Sequence, residues 1–95
     1  MTPGALVPLV LAIVAYAPGS AFDSYDDGAV VMFDVATVRI AEGYRAGQTF
    51  DVLVEPDAHE AALWNRPGET LAVSIDPAML DSGETIFAGA FEVKP

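Results

Sequence analysis

Apolar and polar positions divide the chain into stretches that read as strands and one that reads as a short helix. The longest extended stretch beyond the N-terminal region is Ala29–Ile40, AVVMFDVATVRI, rich in the β-branched and aromatic residues that favour a pleated backbone. Its apolar residues fall on both faces, with Val31, Phe33 and Val35 on one and Val30, Met32, Val38 and Ile40 on the other. A half-solvated strand alternates more cleanly, so this pattern predicts a long central strand with neighbours on two sides. Thr49–Glu55 alternates, with Phe50, Val52 and Val54 on one face, and Thr70–Asp76 does so with Leu71, Val73 and Ile75. Thr85–Val93 reads as the last strand, with Phe87, Phe91 and Val93 on one face and Gly89 marking a bulge or sharp curve. The expected core is therefore Phe33, Val35, Phe50, Val52, Val54, Leu71, Val73, Ile75, Phe87 and Phe91.

The connections carry their own signals. Glu42–Gly47 is a glycine-bearing link that makes a hairpin of the central strand and the next, with Tyr44 and Arg45 at its tip. Pro56–Glu60 opens a helix over Asp57–Trp64: Asp57 caps it and Glu60, three residues on, reaches back to the cap N–H. Pro67-Gly68 ends it, and Trp64 is expected to plug one end of the core. Asp76-Pro77 starts a single helical turn, with Asp76 as cap.

The N-terminal run Ala5–Ala17, ALVPLVLAIVAYA, is apolar throughout and shorter than the roughly 20 residues a membrane-spanning helix needs. A cleaved signal is the alternative, since the length suits its apolar region and Gly19-Ser20-Ala21 is an acceptable cleavage site, but no Lys or Arg precedes the run and Pro18 blocks cleavage straight after Ala17. The preferred reading is a buried first strand, with Pro8 near its start or at a bulge, that pairs within the fold or, through Leu9, Leu11 and Ile13, with a neighbouring subunit's sheet edge. Pro18-Gly19-Ser20 reads as a turn after it.

Strand, strand, strand, helix, strand, strand: this order resembles the OB-fold, and the resemblance implies a small five-stranded Greek-key barrel. The segment RPGETLAVSIDP, residues 66–77, is also similar to the closing part of small transport-associated β-barrels appended to transporter ATPases. The expected fold is thus all-β, a small five-stranded barrel or sandwich with one short helix, forming one domain over residues 1–95. OB-fold nucleic-acid binders present basic and aromatic residues on their strands, whereas Arg39 is the only basic residue in an expected strand here, so that function is not implied.

Charge narrows the partners further. Fourteen acids against four basic residues give a formal charge of −10, which repels phosphate backbones and anionic lipid. Hydrophobic residues make up 53% of the chain, so a packed core is expected rather than disorder. With no cysteine, neither a disulfide framework nor a thiolate metal site can form.

Candidate chemistry is sparse. In FDSYDDG, residues 22–28, and on to Asp34, the residues Asp23, Asp27, Gly28 and Asp34 match places of a calcium loop, but Tyr25 occupies a ligand place and strands flank the loop. An Asx-rich turn is the preferred reading. His59 is the only histidine and sits in the first helical turn, and Ser20, Ser24, Ser74 and Ser82 lack a nucleophile-elbow context. No catalytic, cofactor or metal residue is expected, and no small-molecule ligand.

The expected function is a non-catalytic structural or protein-interaction subunit that self-associates or binds a protein, as in a larger assembly such as a virion. Tyr44, Arg45, Leu9, Leu11 and Ile13 are the expected interaction residues. The alternatives are a secreted or periplasmic β-barrel binding domain, and an acidic inhibitor whose carboxylates imitate nucleic acid.

Overall fold

A computed structural model describes residues 5–94. Its six strands are β1 (Val7–Ser24), β2 (Val30–Gly43), β3 (Thr49–Val54), β4 (Thr70–Ile75), β5 (Ile86–Phe87) and β6 (Glu92–Val93). They form one sheet in the order β5-β3-β2-β1-β4-β6, with every pair antiparallel except β3 and β5. Two helices, α1 (Ala58–Trp64) and α2 (Pro77–Asp81), and a 3₁₀ turn at Ala88–Ala90 complete the described chain. No helix among the described residues is long and apolar enough to cross a membrane.

The class is all-β, as the alternation predicts, but the expected five-stranded barrel is corrected to an open six-stranded sheet. The reason lies in Thr85–Val93, which is not one strand. Ile86–Phe87 joins the outer side of β3, and Glu92–Val93 joins the outer side of β4 at the other edge. Only residues 88–91 separate them, a span of at most roughly 18 Å from Phe87 to Glu92. The two edges therefore face one another across a gap that chain bridges without ladder hydrogen bonds. The OB-like order is corrected too, because a second helix and a split last strand interrupt it.

β1 and β2 are the two central strands, so the prediction of two-sided neighbours for the second strand holds. The prediction for the first strand is extended. β1 does not end at Ala17 but runs on to Ser24, and β1 and β2 form a long hairpin that the sequence reading did not contain. Its turn lies at Tyr25–Gly28, where the Gly28 N–H donates to the Tyr25 carbonyl at 2.9 Å. Pro18-Gly19-Ser20 is a bulge rather than a turn: Ala17 pairs with Val35 and Ala21 with Phe33, leaving those three residues opposite Asp34. Gly19 adopts φ +63°, a conformation that suits glycine.

One face of the sheet is packed. Leu9, Leu11 and Ile13 from β1, Ala36, Val38 and Ile40 from β2, Val52 and Val54 from β3, and Leu71, Val73 and Ile75 from β4 point into it with a period of two. Trp64 of α1, Leu80 of α2, Ile86, Ala88 and Phe91 cover them. Trp64 lies against Phe91 at 5.3 Å between ring centres, and Phe50, half-buried, stacks on Phe91 at 6.4 Å.

Three members of the expected core are displaced. On β2 the inward face is that of Val38 and Ile40, so Val35 is only half-buried on the other side. On β5 it is Ile86 that turns inward beside Val52, which leaves Phe87 paired with Leu53 on the opposite face and 42% exposed. Phe33 is buried, but against Phe87 rather than within the main cluster.

Both helices start as their caps predict. The Asp57 Oδ1 accepts from the Glu60 N–H at 2.8 Å, and the Asp76 Oδ1 accepts from the Ala78 N–H at 3.0 Å with Pro77 in the first turn. Glu60 does not reach back to the cap, however. Its carboxylate accepts from the Glu55 N–H at 3.3 Å, two residues further upstream.

Trp64→Ala removes the largest fully buried side chain and is expected to cost about 3–5 kcal/mol. Set against the roughly 5–15 kcal/mol of a typical domain, that leaves little margin. Phe87→Ala should cost less, about 1–3 kcal/mol, because a ring that is 42% exposed loses only part of a full burial together with its aromatic pair. Urea unfolding of the two variants checks this, and the reverse ranking would place Phe87 rather than Trp64 at the centre of the core.

Candidate functional site

The hairpin of β1 and β2 outruns the rest of the sheet. β4 pairs with β1 only over Val7–Ala12, and β3 pairs with β2 only over Asp34–Arg39. The Ile13 N–H and carbonyl still bond to Glu69 and Gly68, and from Val14 of β1 and below Asp34 of β2 the two long strands pair only with each other among the described residues. They form a two-stranded arm capped by the turn at Tyr25–Gly28. Phe22 and Val30 are 68% and 63% exposed on it, and Tyr25 and Met32 are also largely in water. Phe22 and Met32 are opposite one another in the ladder, so they share a face.

At the root of the arm stands Asp34, the one buried carboxylate among the described residues. It accepts from the Tyr16 hydroxyl at 2.5 Å and from the Gly19 N–H at 2.8 Å. One side chain thereby satisfies the bulge's free amide and ties the arm to the packed face. Burial raises the pKa of Tyr16 above the ordinary tyrosine range, and the hydrogen bond to Asp34 and its charge raise it further.

Between the arm's turn and β5 lies a cleft of about 270 Å³. Tyr25, Phe33, Phe87 and Leu53 form its apolar walls, and Glu55 and Glu60 its polar side. Phe33 and Phe87 meet edge to face, with ring centres 5.5 Å apart and planes at 64°. Carboxylate oxygens of Glu55, Asp57 and Glu60 lie within 4.8 Å of one another. Burial raises the pKa of Glu60; the charges of Glu55 and Asp57 act in the same direction, while the Glu55 N–H bond opposes them.

The expected interaction residues are dispersed. Leu9, Leu11 and Ile13 are buried in the chain's own core, because β1 is paired on both sides over Leu9–Ala12 by β2 and β4. Tyr44 and Arg45 stand at the far end from the arm. The Tyr44 hydroxyl and the Arg45 Nε both donate to Asp81 Oδ1, at 2.8 and 2.9 Å, and so pin the hairpin loop to α2. The calcium-loop match does not converge: Asp34 is committed to Tyr16 and Gly19, while Asp27 accepts from the Ala29 N–H in an Asx turn. His59 is exposed on α1.

Sequence reasoning did not find the arm or the cleft. A signal was present in FDSYDDG, where Phe22 and Tyr25 stand among acids in a stretch read as a polar loop. No family model matches the chain, and no curated protein or solved structure matches it either.

Asp34→Ala leaves the Gly19 amide and the Tyr16 hydroxyl without their acceptor and is expected to cost about 1–3 kcal/mol. Hydrogen exchange at Gly19 should quicken well before exchange in the core strands. Tyr16 also sets a pH dependence. A raised folded pKa contributes stability that is complete below the unfolded value, near 10, and is lost as pH rises beyond it. Urea titrations above pH 9 should show that loss in the parent chain and a shallower one in Tyr16→Phe.

Proposed function

We propose that the chain is a non-catalytic interaction subunit of a larger assembly and that it docks through the arm formed by β1 and β2. The observation that carries this reading is the exposure of Phe22, Tyr25, Val30 and Met32 on a ribbon whose one contact with β5 is made by the buried Phe33 against Phe87, among the described residues. A lone two-stranded ribbon is marginal in water, and clustered exposed apolar groups mark surfaces that bind something. The arm's strand edges are also unpaired, so a partner's strand can add to them through main-chain hydrogen bonds. The formal charge of −10 favours a protein partner over nucleic acid.

The test is the size of the native species. In an extract of the native source, gel filtration read out by mass spectrometry is expected to place the chain well above its monomer position. A Phe22→Ser, Met32→Ser double variant should fold, as judged by circular dichroism, yet elute as a monomer. Elution of the parent chain as a free monomer would overturn the proposal.

A further inference from the structure

The cleft beside the arm's turn has a chemistry of its own. Phe33 is buried and Phe87 is held edge-on against it, so two of the three aromatic walls are fixed by packing. Tyr25, the third, belongs to the turn of the arm itself. Aromatic faces carry negative potential and attract cations, most strongly where water is partly excluded. On the polar side stand Glu55 and Glu60, and no basic residue is among the described residues that line the cleft. Of the four Lys and Arg residues, Arg45 is engaged with Asp81 and Arg66 donates to the Ala62 carbonyl, and the positive group that acts on Glu60 is the exposed His59 of α1.

Taking the arm as the docking element, we propose that this cleft receives a lysine or arginine side chain of the partner protein, held between Tyr25, Phe33 and Phe87 and against Glu55 and Glu60. The size fits: about 270 Å³ is below the roughly 300–1,000 Å³ of pockets for drug-sized ligands and suits one long side chain. The walls fit an organic cation better than a metal ion. Calcium takes six to eight oxygens, whereas here Asp57 Oδ1 is engaged in capping α1 and Glu60 Oε2 accepts from the Glu55 N–H. An aliphatic stem with a charged head matches apolar walls that end in carboxylates. Glu55, Asp57 and Glu60 bring carboxylate oxygens within 4.8 Å of one another, and a cation that enters beside them offsets that mutual repulsion.

Proton NMR titration of the purified chain with the N-acetyl methylamides of lysine, arginine and norleucine tests the inference. The lysine or arginine side-chain methylene signals should move upfield and saturate, as they do beside aromatic rings, and the uncharged norleucine compound, with the same four-carbon stem as lysine, should not. Glu60→Gln keeps the acceptor to Glu55 and Phe87→Leu keeps an apolar wall. Each should weaken binding roughly 2- to 30-fold, the range of a cation–π or single-charge contribution. Equal binding of norleucine would overturn the inference, as would the absence of a saturable shift, or calcium chloride saturating the cleft resonances while the lysine compound leaves them unmoved. The two proposals fail separately. If the Phe22, Met32 double variant loses the native complex but no cationic side chain binds, the arm remains the docking element and the cationic partner is refuted. If the side chains bind but the native chain runs as a monomer, the cleft's cation chemistry stands and the partner does not.

Discussion

The pairing of β1 with β2 is the constraint on which the other elements depend. These two strands are 18 and 14 residues long, while the other four have six residues or two. β3 hydrogen-bonds to one side of the ribbon and β4 to the other, and the outermost strands attach only through them. The ribbon's register is interrupted at Pro18-Gly19-Ser20, where three residues stand opposite one. A bulge of that size frees backbone groups that a continuous ladder would satisfy. The buried Asp34 carboxylate takes up the Gly19 amide and anchors Tyr16 at the same time. Asp34 and the Phe33–Phe87 contact together tie the arm to the rest of the sheet.

From that ribbon the rest follows by coverage. One face of the sheet carries the core, and α1, α2 and the stretch through Ala88 and Phe91 close over it. The edges end in two-residue strands, which pair with Val52–Leu53 of β3 and Val73–Ser74 of β4. The arm differs in its side chains. It offers long unpaired edges and large apolar side chains at the end of the molecule remote from the Tyr44, Arg45 and Asp81 contact. Stability is thus concentrated around Trp64 and the crossing of the central strands, and the surface open to binding is concentrated where that packing stops.

The cleft belongs to the same end because of chain direction. β3 runs antiparallel to β2 and finishes at Val54, opposite Asp34, so Glu55 and the start of α1 emerge beside the root of the arm. β5 lies alongside β3 and brings Phe87 to Leu53. Aromatic groups from the arm and from β5 therefore meet carboxylates from the start of α1.

Much of the local structure was written in the sequence. Alternation in Thr49–Glu55 and Thr70–Asp76 named the inward residues Val52, Val54, Leu71, Val73 and Ile75, because a strand's side chains alternate with a period of two whatever lies beyond it. Asp57 and Asp76 named the starts of both helices, because a cap acts on amides two or three residues away. What the tertiary structure alone decided depends on partners distant in sequence. Pro18-Gly19-Ser20 has the composition of a turn, and it is a bulge because Asp34 is there to take up the Gly19 amide. Val35 and Val38 are equally apolar, and which faces the core follows from the side on which α1 and α2 pack. Phe87 lost its expected place to Ile86 because the final stretch divided between two edges, and a divided strand keeps no single phase. Hydrophobic periodicity specifies the spacing of buried positions along a strand, but the choice of face and the point where pairing stops are set by contacts that only the folded chain supplies.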